Sequence, residues 1–178
     1  WYAGSTNFDV WANRFEPDAG WGVAGLLENT DPGVAAVPKV ASDAFGVAHV
    51  VWQQQIDGTF HIFTRRSVPD AGWLATQRLD SQDGSAEFPQ LAVAPGGVGA
   101  AAWLQKEGTR WDVWSALYFP DGGWSTAALL EDDFDAGPGS ASLENSPSVA
   151  SDPSGNFAAI WSIEGRLWLR RYVVATGW

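Results

Sequence analysis

The sequence contains no cysteine and no methionine, and it has only two lysines and two histidines among its 178 residues. Without cysteine there are no disulfides and no thiolate metal site. With Lys39 and Lys106 as the only lysines and a net charge of −11, the chain lacks the basic footprint of a nucleic-acid-binding protein. No apolar run approaches the roughly 18 residues that span a bilayer, so membrane insertion is not expected.

Methionine is missing even at position 1, so we expect that the chain is processed or is an excerpt of a longer protein. An export signal in the missing start is consistent with this expectation. The residues that are abundant point to a β structure. Twelve Trp, twenty Gly and ten Pro indicate short strands joined by tight turns. An apolar content of 46% with 17% charged residues argues against disorder.

A repeat organises the whole chain. Trp52, Trp103 and Trp161 each follow a Gly by six residues, an Ala by eleven and a Pro by fourteen. The pattern reads P-x-[VL]-A-x-x-x-x-G-x-x-x-x-x-W, and its first two copies are 51 residues apart. Self-similarity at a period near fifty residues is typical of proteins built from stacked units.

A second block follows each of these tryptophans and ends in a Gly-Trp pair, at Gly20-Trp21, Gly72-Trp73, Gly123-Trp124 and Gly177-Trp178. Ten residues before each pair's Trp lies another large aromatic residue, namely Trp11, Phe63, Trp114 or Trp168. Trp1 takes the place of Trp52 in the first unit, and Trp111 aligns with Phe8 and Phe60, so all twelve tryptophans occupy repeat positions. A residue that recurs in every unit most often packs between units, where each such ring buries roughly 150–250 Å².

Within one unit the pattern predicts four extended stretches, at 38–42, 47–54, 60–67 and 74–79, separated by turn signals such as Asp57-Gly58. Four strands per unit predict an all-β fold, a β-propeller of four-stranded antiparallel blades with about three and a half blades present. A β-sandwich needs no such strict repeat, and a β-helix would need shorter rungs. We expect one domain over 1–178, with units near 1–36, 37–87, 88–145 and 146–178.

The repeat resembles one found in exported or surface β-propeller proteins of bacteria, which reads P-x-V-A-x-D-x-x-G-N-A-x-A-x-W, then W-A-N-R-[FY], then G-W. The matching segments are Trp11-Ala12-Asn13-Arg14-Phe15 and the stretch from Ser151 to Ala158. The resemblance implies a propeller-like protein that is secreted or at the cell surface, and it carries no functional residue to this chain. A looser likeness, to the small Trp-rich fucose-binding propeller lectins, rests on the Gly-Trp after an aromatic strand.

The phase of the repeat predicts incomplete units at both ends, because the chain opens at the end of a second strand and closes after a third. An open half-ring would expose strand edges, which natural proteins avoid. We therefore expect either a longer parent chain or self-association into a larger assembly through open blade edges.

Three arginines, Arg14, Arg66 and Arg171, recur seven residues before the Trp of a Gly-Trp pair, and Leu117 interrupts the series. One hypothesis places each of them against a sugar hydroxyl or carboxylate beside an aromatic ring. The ligand-binding residues would then be Arg14, Arg66, Arg171, Trp11, Trp114 and Trp168. The alternative is structural, with Arg stacked on a neighbouring Trp or paired with an aspartate in a turn.

Catalytic and metal chemistry find little support. His49 and His61 lie on separate strands, and no nucleophile elbow, zinc-binding helix or phosphate loop occurs. The acidic stretches 80–84 and 131–135 carry oxygen ligands but do not match the helix–loop–helix calcium pattern, so we predict no metal and no cofactor.

These features predict a non-catalytic, exported binding or adhesion propeller that recognises a glycan or protein partner. The alternative is a structural subunit of a larger surface assembly. An enzyme acting on glycosides is the less favoured reading, because nothing singles out a pair of carboxylates.

Overall fold

The computed structural model describes residues 8–28, 33–131, 145–163 and 165–178, together with the backbone of residues 2–3. Within these ranges the secondary structure is β throughout, and every strand pair is antiparallel. No described segment is helical, so no helix there could cross a membrane.

The strands form four successive groups. The first group comprises a sheet in the order β1-β2-β5 and a separate β3-β4 pair, with β1 Tyr2–Ala3, β2 Asp9–Ala12, β3 Phe15–Glu16, β4 Gly20–Trp21 and β5 Gly25–Leu26. The second sheet contains β6 Ala35–Ser42, β7 Ala48–Ile56, β8 Thr59–Val68, β9 Gly72–Trp73 and β10 Gln77–Arg78. Its order is β6-β7-β8, and both β9 and β10 pair with β8.

The third sheet has the same arrangement, with β11 Ala86–Val93, β12 Gly99–Glu107, β13 Arg110–Phe119, β14 Gly123–Trp124 and β15 Ala128–Leu129. The fourth sheet contains β16 Ser148–Ser151, β17 Phe157–Ile163 and β18 Arg166–Tyr172, in that order. In the second, third and fourth sheets the Trp of the second strand is the cross-strand partner of the aromatic residue of the third, as Trp52↔Phe63, Trp103↔Trp114 and Trp161↔Trp168.

Of the predicted fourth stretch of the second unit, 74–79, only Gln77–Arg78 forms a strand, β10, and a further short strand, β9, precedes the stretch at Gly72–Trp73. Both pair with β8, and the backbone amides of Leu74 and Leu79 donate to the carbonyl oxygens of Arg66 and Ile62 in β8. The Arg65 side chain donates from Nε to the carbonyl oxygen of Leu74 at 2.7 Å. The Leu74 carbonyl thus accepts its hydrogen bond from a side chain of β8 and not from a backbone amide of that strand.

Apolar clusters lie between successive sheets. Val10 and Leu27 of the first sheet contact Val50 and Trp52 of the second, and Ile62 of the second sheet contacts Trp103 of the third. A third cluster joins Leu104, Val113 and Leu130 to Trp161 of the fourth sheet. Trp52 and Trp103 are fully buried and Trp161 nearly so. In each interface, therefore, one sheet supplies aliphatic side chains and the next supplies the Trp.

Candidate functional site

A cleft of about 580 Å³ lies between the first and second sheets. On one side it follows consecutive residues, 10–15, and on the other it meets Val40, Ala48, Ser67 and Trp73 of the second sheet. Its size falls within the range of sites that bind small molecules or short segments. Because six consecutive residues form one wall, the cleft runs along the side of an extended segment.

The lining of the cleft has a charge opposite to that of the protein as a whole. It contains the cations Arg14 and Lys39 and no Asp or Glu, although the chain carries a net charge of −11. The one carboxylate paired with Arg14 belongs to the exposed Glu16, with Nε and Oε1 3.4 Å apart. The cleft is consequently suited to a partner that is apolar with a negatively charged end.

The cleft lies where the first sheet is short. In the second and third sheets the third strand pairs along its length with the second, up to the pairs Ala48↔Ser67 and Gly99↔Tyr118. In the first sheet β1 pairs only with Asp9 and Val10 of β2. No described strand pairs with residues 12–15 on that side. Among the described residues, their backbone edge borders the cleft.

The second reason for the cleft is the size of one cross-strand pair. Ala48 and Ser67 are partners in the second sheet, where the third sheet has Gly99 and Tyr118 and the fourth has Phe157 and Tyr172. Tyr118 and Tyr172 are buried and fill the space toward the preceding sheet. The ring of Tyr118 lies 4.6 Å from that of His49 in the second sheet. Two small side chains at this place in the second sheet leave the equivalent space open.

The structure brings together two of the six predicted ligand-binding residues, because Trp11 and Arg14 both line the cleft. Arg66 lies over the ring of Tyr118, 4.6 Å from its centre, and donates a hydrogen bond to the tyrosine hydroxyl. Arg171 is exposed near the end of β18. Trp114 and Trp168 are half-buried and pack against the apolar clusters of the second–third and third–fourth interfaces. These four residues do not meet one another or the cleft.

Each of the first three units has a buried carboxylate side chain two residues after its last short strand. Glu28, Asp80 and Glu131 each directly follow the buried leucine of the repeat. Each accepts a hydrogen bond from a third-strand backbone amide, those of Val10, Ile62 and Val113 at 2.6–2.7 Å. The carboxylate therefore links the segment after the last short strand of the unit to the strand that contains the amide, which is β2, β8 or β13.

The second oxygen of this carboxylate has a different partner in each unit. Gln54 donates from Nε2 to Glu28 at 3.1 Å and accepts from the indole of Trp52 at 3.1 Å, so it bridges two sheets. Asp80 instead binds the side chains of His61 and Arg78 at 2.9 and 2.8 Å.

At the third–fourth interface the residue in the place of Gln54 is Ile163. Among the described residues, Oε2 of Glu131 and Nε1 of Trp161, the two atoms that a glutamine would bridge, make no hydrogen bond of normal geometry, although the Trp161 side chain is near enough to oppose part of the rise in the pKa of Glu131. Burial raises the pKa of Glu131 to about 7, and the nearby Asp112 adds to the rise, while the Val113 amide opposes it. A carboxylate that is removed from water binds its proton more tightly.

The two histidines are used in packing and in hydrogen bonding. Nδ1 of His61 lies 2.9 Å from Oδ2 of Asp80. His49 is fully buried against Tyr118, and burial together with the nearby Arg66 lowers its pKa to about 4. Within the described ranges no three His, Asp or Glu side chains are grouped so as to hold a metal ion. In the acidic stretch 80–84 Asp80 is buried, and residues 132–135 of the second stretch lie outside the described residues.

Sequence reasoning did not identify the cleft-forming pair Ala48 and Ser67, Lys39 in the lining, or the recurrent carboxylate. The carboxylate had a visible signal, since Leu27-Glu28, Leu79-Asp80 and Leu130-Glu131 align in the repeat. The small pair had a weaker one, because an alignment of the units places Ser67 against Tyr118 and Tyr172. No protein-family model matches this chain, and no curated protein sequence matches it significantly.

Proposed function

We propose that this chain is a non-catalytic binding or adhesion module of an exported β-propeller, and that its cleft takes an extended segment of a protein partner. The propeller arrangement is supported by the order of the four antiparallel sheets along the chain and by the aromatic contacts between consecutive sheets. Export rests on the resemblance of the repeat to exported bacterial proteins.

The observation that carries the binding proposal is the backbone edge of residues 12–15 along the cleft. Strand addition uses such an edge for main-chain hydrogen bonds and uses neighbouring pockets to select side chains. In the later sheets the equivalent third-strand residues pair with extended strands, as Ala48 does with Ser67 and Gly99 with Tyr118. An extended segment is therefore the shape that this position accommodates elsewhere in the chain.

The side chains that would meet the partner define its character. Between the second and third sheets the bulky His49 faces the ring of Tyr118, whereas between the third and fourth sheets the small Ala100 accompanies Phe157 and Tyr172. Large and small side chains thus compensate across these interfaces. Ala48 and Ser67 are both small, so the partner segment carries a bulky side chain opposite them. Arg14 and Lys39 favour an acidic residue at its end.

Two peptides with the chain's own strand sequences test the proposal by fluorescence anisotropy. The peptide of residues 46–54 contains His49, and the peptide of residues 97–105 contains Ala100 at the same repeat position. This is the position that would lie opposite Ala48 and Ser67. We expect the histidine peptide to bind the protein about tenfold more tightly, the effect of one additional buried side chain. In the variant Ala48→Phe with Ser67→Tyr the preference should reverse, because the pair then matches Phe157 and Tyr172, which the small Ala100 accompanies.

The matched control is Ser125→Tyr, an exposed serine of the third sheet outside the cleft, which should leave both affinities unchanged. Failure of both peptides to bind, or an unchanged preference in the variant Ala48→Phe with Ser67→Tyr, would refute strand addition. Binding of a glycan that is lost in Arg14→Ala, with no binding of either peptide, would refute it in favour of the sugar hypothesis for Trp11 and Arg14.

A further inference from the structure

A small pocket of about 140 Å³ lies at the edge of the second sheet that β9 and β10 form. Its lining consists of Thr64, Arg65, Arg66, Leu74, Ala75 and Gln77. The lining thus contains two cations and no carboxylate, although the protein carries a net charge of −11. None of these residues lines the cleft between the first and second sheets. We call this cavity the arginine pocket.

The guanidinium of Arg65 is bound by backbone carbonyl groups. Nε donates to Leu74 at 2.7 Å, and Nη1 donates to Leu26 and Leu27 of the first sheet at 3.2 and 3.0 Å. Within the described ranges Nη2 makes no hydrogen bond, and no ion pair joins Arg65 to a carboxylate. Burial lowers the pKa of Arg65, because a cation removed from water is destabilised unless an anion lies near it. A fixed cation with an unused donor therefore borders the pocket.

The second unused donor is the backbone amide of Arg66. The Leu74 amide donates to the Arg66 carbonyl at 2.8 Å, so this carbonyl points toward the residues between β9 and β10. The N–H and the C=O of one residue point to the same edge of a β-strand, so the Arg66 N–H points there as well. It makes no hydrogen bond in the described part of the chain, since the Leu74 carbonyl accepts from Nε of Arg65 instead.

The third sheet shows how the same place is closed elsewhere in the chain. Leu117 occupies the repeat position of Arg66, and Ser125 occupies that of Leu74. The Leu117 amide donates to the Ser125 hydroxyl oxygen at 3.0 Å, and the Ser125 amide donates to the Leu117 carbonyl at 2.7 Å. In the second sheet leucine replaces this serine, so the side chain offers the amide no acceptor. An acceptor from outside the chain would complete the pairing.

We propose that the arginine pocket binds the carboxylate end of a ligand, with one oxygen accepting from the Arg66 amide and the other from Nη2 of Arg65. Hydrogen bonds from a backbone amide and a guanidinium to a carboxylate belong to the stronger, charge-assisted class. The pocket is smaller than the roughly 300–1,000 Å³ of sites that enclose a whole ligand, so only the end of the ligand enters it.

The apolar part of the lining favours a carboxylate over a sulfate or phosphate. The oxygens of a carboxylate lie on one side of the group, and the carbon chain on the other side can contact Leu74 and Ala75. A sulfate or phosphate would place further oxygens against these side chains, where they find no donor. The chemistry that the pocket selects is therefore a carboxylate attached to carbon.

An NMR titration of the isotope-labelled protein with sodium acetate, at an ionic strength held constant with chloride, tests the site. We expect saturable shifts of the Arg66 amide and of the Arg65 Nε–H, with a Kd on the order of 1 mM because acetate is small. The Leu117 amide is the internal control and should not shift, since it already has an acceptor. Methanesulfonate, which has one more oxygen, should bind about tenfold more weakly.

Three variants separate the pocket from general effects of charge. Ala75→Glu adds a carboxylate at an exposed residue of the lining and should abolish acetate binding. Thr126→Glu is the matched control, because Thr126 is exposed at the same repeat position of the third sheet and binding should be unchanged. Leu74→Ser supplies the hydroxyl that the third sheet has, so it should weaken binding about threefold to tenfold. Circular dichroism and thermal melting check the fold of each variant.

D-glucuronate and N-acetyl-glutamate distinguish an acidic sugar from an acidic side chain as the source of the carboxylate, and we expect at least one of them to bind more tightly than acetate. The proposal fails if the Arg66 amide shows no saturable shift up to about 100 mM acetate, or if the Leu117 amide shifts with the same affinity. It also fails if Ala75→Glu retains binding, if methanesulfonate binds as tightly as acetate, or if neither larger carboxylate binds more tightly.

Discussion

Trp103→Ala is expected to lower the free energy of unfolding by about 4 kcal/mol, a loss typical of truncating a fully buried indole. Trp103 is fully buried in the cluster between the second and third sheets, where it meets Val51 and Ile62. Its indole also donates to Oε1 of Gln105 at 3.2 Å. The substitution leaves a large cavity and an unpaired amide oxygen in the same interface, and both destabilise the folded state.

Chemical denaturation of the two proteins at neutral pH measures this difference. Trp21→Ala is the matched control, because Trp21 is 70% exposed and its loss should change the free energy of unfolding by less than about 0.5 kcal/mol. Equal destabilisation by the two substitutions would contradict the assignment of the stability to the contacts between sheets.

Glu131→Gln is expected to stabilise the protein at pH 8 by about 2 kcal/mol and to have no effect at pH 4. The pKa of Glu131 is raised to about 7 by burial, so the folded state binds the proton more tightly than the unfolded state does. Its contribution to stability is complete below the ordinary value of 4.5 and is lost as the pH rises through 7. The difference between a pKa of 4.5 and one of about 7 corresponds to about 3 kcal/mol, and screening by nearby solvent reduces this energy to about 2 kcal/mol.

Urea denaturation of both proteins between pH 4 and pH 8 gives this dependence as a difference curve. His49 titrates in the opposite sense, because its pKa of about 4 lies below the ordinary 6.5 and its contribution is lost on acidification from pH 6.5 to 4. Since His49 is present in both proteins, its effect cancels in the difference. A difference that is independent of pH would show that Glu131 does not titrate as described.

Ile163→Gln tests the same site from the facing strand. The new amide is placed to bridge Glu131 and Trp161, as Gln54 bridges Glu28 and Trp52. We expect it to stabilise the protein at pH 8 by about 1 kcal/mol, the typical contribution of a satisfied buried hydrogen bond. In the Glu131→Gln background the gain should be smaller, because the charge that the amide stabilises is gone. Destabilisation by Ile163→Gln at every pH would mean that the lost apolar contact outweighs the bridge.

The positions of the strands follow closely from the sequence. The expected stretches 38–42, 47–54 and 60–67 lie within or nearly within β6, β7 and β8, because alternating side chains and flanking turn residues are local signals. The all-β, antiparallel class is confirmed for the described residues. The pairing of β8 with two separate short strands, β9 and β10, does not follow from the sequence pattern, and β13 pairs in the same way with β14 and β15 although Ala116 stands in the place of Arg65.

The candidate site was less accessible to sequence reasoning. Trp11 and Arg14 occupy repeat positions and lie in the cleft, but Arg66 at the position equivalent to Arg14 covers a tyrosine of the next sheet. Position in the repeat is therefore a weak guide to exposure. What distinguishes the first interface from the others is the small size of Ala48 and Ser67.

The sequence by itself determined the repeat, the strand segments and the places of the tryptophans, because each is encoded by residues close together in the chain. Only the tertiary structure decided which copies of a position are buried. Leu167 and Ile62 share one position of the repeat, yet they are 82% and 0% exposed. The difference arises because burial depends on the neighbouring sheet, and the residues of that sheet are distant in sequence.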